Sequence, residues 1–326
     1  MEELLLLELN LLREIITYAA NQRLSRQRES WEIDLSLLQL QCSIPSYIVF
    51  DRNVFSAFYG QHRDVTVKVK ELFDEIEVQS ILELIREKSA DWQTLDHPNV
   101  TKFLGASFLD YPPPSFTCCV LAEEENPAGM SLKEYFQVHH NITCTLPFEN
   151  VLGFALQLAK GLSYLHSKNI IHGNLIPENL FVLSDSDSQT SLKIRNWVAT
   201  AINRRLVPDD DLSGVQFMAP ELFGGTPCNQ KSDVYSLGVC FWAIYFCNEE
   251  PYGSRRNYQI ISHLQLGRRP FIPPHSCPIP FASIMRRCWD GNPDSRPSIC
   301  TVVTLLESID LNLFTSSSFS INSNIN

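Results

Sequence analysis

Long apolar runs, paired cysteine motifs and a basic charge balance are all missing from this 326-residue chain. Without runs of roughly 20 apolar residues no membrane-spanning helix is expected. The ten cysteines form no C-x-x-C pair, and only Cys118 and Cys119 are adjacent. That excludes a zinc ribbon and a regular disulfide framework, and predicts that most of the thiols are buried and reduced. Lys and Arg number 26 against 37 Asp and Glu, a formal net charge of -11. Basic residues cluster only as pairs, Arg204-Arg205, Arg255-Arg256, Arg268-Arg269 and Arg286-Arg287, which read as solvated surface and offer no stripe to nucleic acid. The opening Met-Glu-Glu supplies neither a basic n-region nor a small-residue cleavage site around Leu4 to Leu7. No signal peptide is therefore expected, and the expected location is cytoplasmic. The triplets Asn99-Val100-Thr101 and Asn141-Ile142-Thr143 fit the glycosylation pattern but count as chance in that compartment.

What is present is 44% hydrophobic and 19% charged residues, the balance of a soluble globular protein. The length leaves room for one domain of about 270 residues with short extensions. In residues 4–20, Leu5, Leu9, Leu12, Ile16 and Ala19 recur at helical spacing and predict an amphipathic helix. Its apolar stripe would cover either this chain's own small sheet lobe or a second molecule. From about 45 to 70 the pattern is strand-like, through Ile48-Val49-Phe50, Ala57-Phe58-Tyr59 and the alternation of Val65, Val67 and Val69. An acidic amphipathic helix is predicted over 72–90, from Leu72, Ile76, Ile81, Leu82 and Ile85, with further strands near 102–108 and 116–122. Beyond 130 the pattern is helical at 150–166, 232–246, 281–289 and 299–309, the second almost wholly apolar and so buried. The Ser/Asn-rich end, 311–326, reads as a disordered tail.

The most informative segment is His172-Gly173-Asn174-Leu175-Ile176-Pro177-Glu178-Asn179. It occurs with Val65-Thr66-Val67-Lys68, Asn196-Trp197-Val198, Met218-Ala219-Pro220-Glu221, Ser232-Asp233-Val234-Tyr235-Ser236-Leu237-Gly238 and Arg296-Pro297-Ser298, in that order along the chain. Over residues 31–310 the chain resembles a protein kinase domain, and Trp31-Glu32-Ile33-Asp34, Ala159 to His166 and Cys288-Trp289 resemble the tyrosine-kinase-like group. The resemblance implies an α+β, two-lobed fold: a small antiparallel lobe with one long helix over about 31–125, then a helical lobe over about 126–310. Residues 1–30 would form an N-terminal extension.

In this family the protein positions ATP, Mg²⁺ and a hydroxyl for phosphoryl transfer. Lys68 stands at the strand lysine that holds the nucleotide phosphates, with Glu83 or Glu87 as its helix partner. Where the phosphate-cradling glycines belong stand Phe50, Arg52 and Phe55, which obstruct close approach of backbone amides; Arg52 is either a phosphate contact or a surface or cleft-filling group. Asn174 replaces the aspartate base, a loss of about 10²–10⁴ in rate. Ile176 and Gly173 replace a phosphate-contacting lysine and an arginine that receives a phosphorylated activation loop. Asn196 stands at the metal-binding aspartate, and a neutral amide is a poor ligand for Mg²⁺. Asn179, the other metal-ligand position, is retained, open to a metal or a structural role, as are Glu221, Asp233 and Arg296, which hold the large lobe together. The resemblance thus implies an inactive serine/threonine-kinase-like protein, a pseudokinase with no functional catalytic or metal residue. It would need no cofactor and act in signalling by binding proteins, as scaffold or allosteric regulator of an active kinase, or by self-association through residues 4–20. The alternative is a weakly active or ATP-binding serine/threonine kinase using Lys68 and Asn179, with little dependence on Mg²⁺.

Overall fold

The computed structural model describes residues 13–14, 17, 29–30, 32–40, 54–59, 63–72, 74–111, 116–124, 129–140, 146–184, 190–203 and 214–312. Phe50, Arg52, the side chain of Phe55, most of the 4–20 helix, the Asp209 to Asp211 run and the tail beyond Asn312 lie outside the described residues. In chain order the elements are β1 (Leu38–Leu40), β2 (Val54–Tyr59), β3 (Arg63–Leu72), α1 (Glu75–Gln93), β4 (Phe103–Tyr111), β5 (Phe116–Glu124), β6 (Gly129–Ser131), α2 (Leu132–His140) and α3 (Phe148–Ser167). There follow β7 (Leu180–Ser184), β8 (Thr190–Ile194), α4 (Trp197–Asn203), α5 (Gln230–Phe246), α6 (Asn257–Gln265), α7 (Ile279–Cys288) and α8 (Ile299–Glu307). The fold is mixed α+β, with antiparallel strands first and helices after, as a kinase fold requires.

Two compact units result, one of residues 1–131 and 181–211, the other of 132–180 and 212–326. In the first, a sheet of order β1-β2-β3-β5-β4 is joined by antiparallel pairing, with Lys68 opposite Leu121 and Thr66 opposite Glu123. Because facing residues of an antiparallel pair share a face and alternate residues return to it, Lys68 and Glu123 lie on the same side of the sheet. Helix α1 begins later than its apolar pattern predicts. Leu72 is the buried last residue of β3, and the Asp74 side chain accepts from the Ile76 amide to cap the helix, leaving Ile76 77% exposed. The buried stripe of α1 is Ile81, Ile85, Ser89 and Trp92. Short strands β6, β7 and β8 form a second sheet that apolar periodicity does not reveal, since each spans five residues or fewer.

In the second unit, α5 is buried on every side from Ser232 to Ile244, so its apolar residues follow no stripe. Its start is fixed by a capping box in which the Asn229 and Ser232 side chains each accept from the other's main-chain N–H. Gly238 lets α7 approach: a Cβ there would lie 2.7 Å from Cys288 Cβ. Cys240, Cys247, Cys277 and Cys288 are buried thiols, and Cys119 is buried in the first unit. Among the described residues no helix is long and apolar enough to cross a membrane.

Candidate functional site

The loop that follows α3 is built around one carboxylate of the second unit. Asp233, in the first turn of α5 and 1% exposed, accepts from the His172 amide at 2.8 Å and the Gly173 amide at 2.7 Å, while His166 Nε2 lies 2.8 Å from its Oδ2. The loop path is therefore dictated from α5, where two main-chain N–H groups find a charged acceptor. Inside the loop, Asn179 donates from Nδ2 to the Asn174 carbonyl at 2.9 Å, a structural use of its amide. Lys133 of α2 pairs with Glu178 at 2.9 Å and Glu249 at 3.0 Å. Burial works against its charge, but the two carboxylates outweigh that and raise its pKa.

A small cavity lies on one side of Asn174, which is itself half-buried. The cavity lined by Asn174, Ile176, Gly214, Phe217 and Asp233 holds about 10 Å³, about enough for one water. Gly214 adopts φ +74°, and a Cβ there would lie 2.9 Å from Ile176 Cγ2. Ile176 thus packs against Gly214 beside Asn174. Arg296, 1% exposed, makes a bidentate pair with Glu221 at 2.6 and 2.8 Å, and Lys231 donates to the Arg296 carbonyl at 2.5 Å.

In the first unit, Lys68 is half-buried on β3. Glu83 and Glu87 are both exposed, away from the buried stripe of α1, and Glu87 pairs with Lys88 at 2.7 Å. The carboxylate that shares the buried face with Lys68 is Glu123, 7% exposed at the end of β5. Its Oε2 accepts from Thr101 Oγ1 at 2.9 Å and from the Asn196 amide at 3.0 Å. Burial pushes the Glu123 pKa up; these two hydrogen bonds and the charges of Arg195 and Lys68 oppose the rise. Sequence reading missed this residue, because Glu123-Glu124-Glu125 looks like a solvated acidic run. The available signal was its position on an otherwise apolar strand, in register with the Val-x-Val-Lys strand.

Asn196 is buried and adopts φ +64°, a left-handed conformation that asparagine tolerates better than most residues. Trp197 then opens α4. Its ring is fully buried, its Nε1 donates to the Thr101 carbonyl at 3.0 Å, and it meets Trp92 and Phe103 edge-on with centroids 5.7 and 6.4 Å apart. Val198 is also fully buried. The segment is anchored on both sides of the metal-ligand position. Among the described residues no group of three or more His, Cys, Asp or Glu could hold a metal ion. Asn196 and Asn179 each offer a neutral amide oxygen and no carboxylate, a poor match to the anionic oxygen ligands Mg²⁺ prefers.

Serine/threonine/tyrosine-protein kinase HT1 of Arabidopsis thaliana is 26% identical over 287 residues, covering 87% of this chain and 69% of HT1. The "Probable serine/threonine-protein kinase drkD" of Dictyostelium discoideum is 28% identical over 286 residues, 85% of this chain and 20% of drkD. The chain thus spans only part of these relatives. The sequence profile of the family described as protein tyrosine and serine/threonine kinase matches residues 51–306, and with its motifs in family order this chain belongs to that family.

Proposed function

We propose that this chain is an inactive member of the kinase family that works by binding another protein, as a scaffold or as an allosteric partner of an active kinase. The observation that carries the reading is the corner at Asn196. A neutral amide stands where the metal ligand belongs, its main chain is held by buried Glu123, and the next residue is locked into the core. Asn174 supports the same reading, since a substrate hydroxyl there would meet a neutral amide and no base. With the base and the anionic metal ligand both replaced, what remains intact is the framework of Asp233, Arg296 and Glu221, which serves folding. Purified chain incubated with radiolabelled ATP and Mg²⁺ or Mn²⁺ tests this: incorporation should equal that of Lys68→Ala, and incorporation that Lys68→Ala abolishes would overturn it.

A second reading, nucleotide binding without transfer, is favoured by half-buried Lys68 on β3. Thermal-shift titration checks it, because ATP at 100 times its dissociation constant would add about 2.7 kcal/mol. No shift at millimolar ATP removes this reading.

A further inference from the structure

A groove of about 670 Å³ opens in the second unit where the end of α5, the 248–256 segment, α6 and the 268–273 segment meet. Its lining combines the aromatic Trp242, Phe246 and Phe271 with the cationic Arg255, Arg268 and Arg269 and the imidazole of His263. Phe271 is 70% exposed, although its own main chain is pinned by Trp242 Nε1, which donates to its carbonyl at 2.8 Å. The cations are positioned as well. Arg255 donates to the Tyr252 carbonyl, Arg268 Nη1 lies 3.4 Å from His263 Nε2, and Arg269 donates to the Trp289 carbonyl at 2.9 Å with its guanidinium over the Tyr235 ring. The His263 pKa is lowered by burial and by the charges of Arg268 and Arg255. Glu250 is the acidic residue among the described lining.

Arg255 of one pair and both arginines of the Arg268-Arg269 pair, which read as separate surface charges in the sequence, are therefore brought to one groove, on a chain whose net charge is -11. Charge complementarity selects an anionic occupant. The net charge repels an extended polyanion, and the volume matches a few side chains rather than a nucleic-acid track.

We propose that this groove docks an acidic peptide segment of a partner protein, its carboxylates meeting Arg255 and Arg268 and an apolar side chain lying against Trp242, Phe246 and Phe271. The proposal deepens the reading of the chain as a protein-binding module by naming the chemistry of the partner. It uses none of the residues at the kinase motif positions.

Fluorescence anisotropy of the full chain with a fluorescein-labelled peptide of glutamate and phenylalanine tests it; this probe has no hydroxyl and cannot accept phosphate. Saturable binding is expected, weakening as salt rises and weakening at least about tenfold in the double variant Arg255→Ala/Arg268→Ala. Exposed Phe271→Ser should also weaken it, which non-specific charge attraction would not do. Unchanged binding in both variants, or tighter binding of an oligothymidylate than of the peptide, overturns the proposal. A positive phosphoryl-transfer assay would remove the inactive reading and leave this docking result standing, while failure of docking would leave the transfer result standing.

Discussion

Asp233 and Glu123 are both buried carboxylates that hold main-chain amides, one in the loop after α3 and the other at the corner before α4. Asp233 has both oxygens served, by two loop amides and His166, at the start of a helix that is buried on every side. Glu123 receives Thr101 and Asn196 on a single oxygen, and burial raises its pKa. The comparison teaches that a buried carboxylate is as stable as its donors are complete.

The sharpest way to break that comparison is Asp233→Ala, which strands the His172 and Gly173 amides and should cost about 3–5 kcal/mol in urea denaturation. Glu123→Ala removes the acceptor of the Asn196 amide and the Thr101 hydroxyl and should cost about 1–3 kcal/mol. A loss from Glu123→Ala as large as that from Asp233→Ala would erase the distinction.

Glu123→Gln sharpens it further. A carboxyl whose folded pKa lies above its ordinary 4.5 binds its proton more tightly in the folded state, so folded stability declines as pH rises from about 4.5 through the raised value. The amide oxygen of Gln can still accept both hydrogen bonds. The variant should therefore lose this decline and be at least as stable as the native chain at neutral pH, as followed by melting temperature against pH. The smallest effect is expected for Glu87→Gln, whose pair with Lys88 is exposed and screened by solvent, so its denaturation midpoint should match that of the native chain.

Most of the framework was legible because it is carried by ordered motifs whose residues do one job each. Asp233 and the Arg296–Glu221 pair sit where their motifs place them, and the apolar run at 232–246 announced a buried helix. Boundaries were less legible. Leu72 and Ile76 fit a helical stripe, but the former ends a strand and the latter faces solvent, because the Asp74 cap decides where α1 starts. The corner at Asn196 was half legible: the missing aspartate was plain, while Glu123 was hidden in an acidic triplet. Its burial depends on strand register, Thr66 opposite Glu123, which is a long-range fact that local composition does not carry. The helical state of the segment after Asn196 was invisible for a similar reason, since it rests on Trp197 docking against Trp92 and Phe103. The aromatic and cationic groove was likewise unreadable from arginine pairs separated along the chain.

The central claim is that this chain keeps the kinase framework without its metal-dependent chemistry, and the most direct measurement is an ATP thermal-shift titration run in excess Mg²⁺ and in EDTA. The account predicts that any stabilisation by ATP is the same in both, because Asn196 and Asn179 provide no anionic ligand for the metal. Stabilisation that appears only with Mg²⁺ and disappears in Lys68→Ala would contradict it.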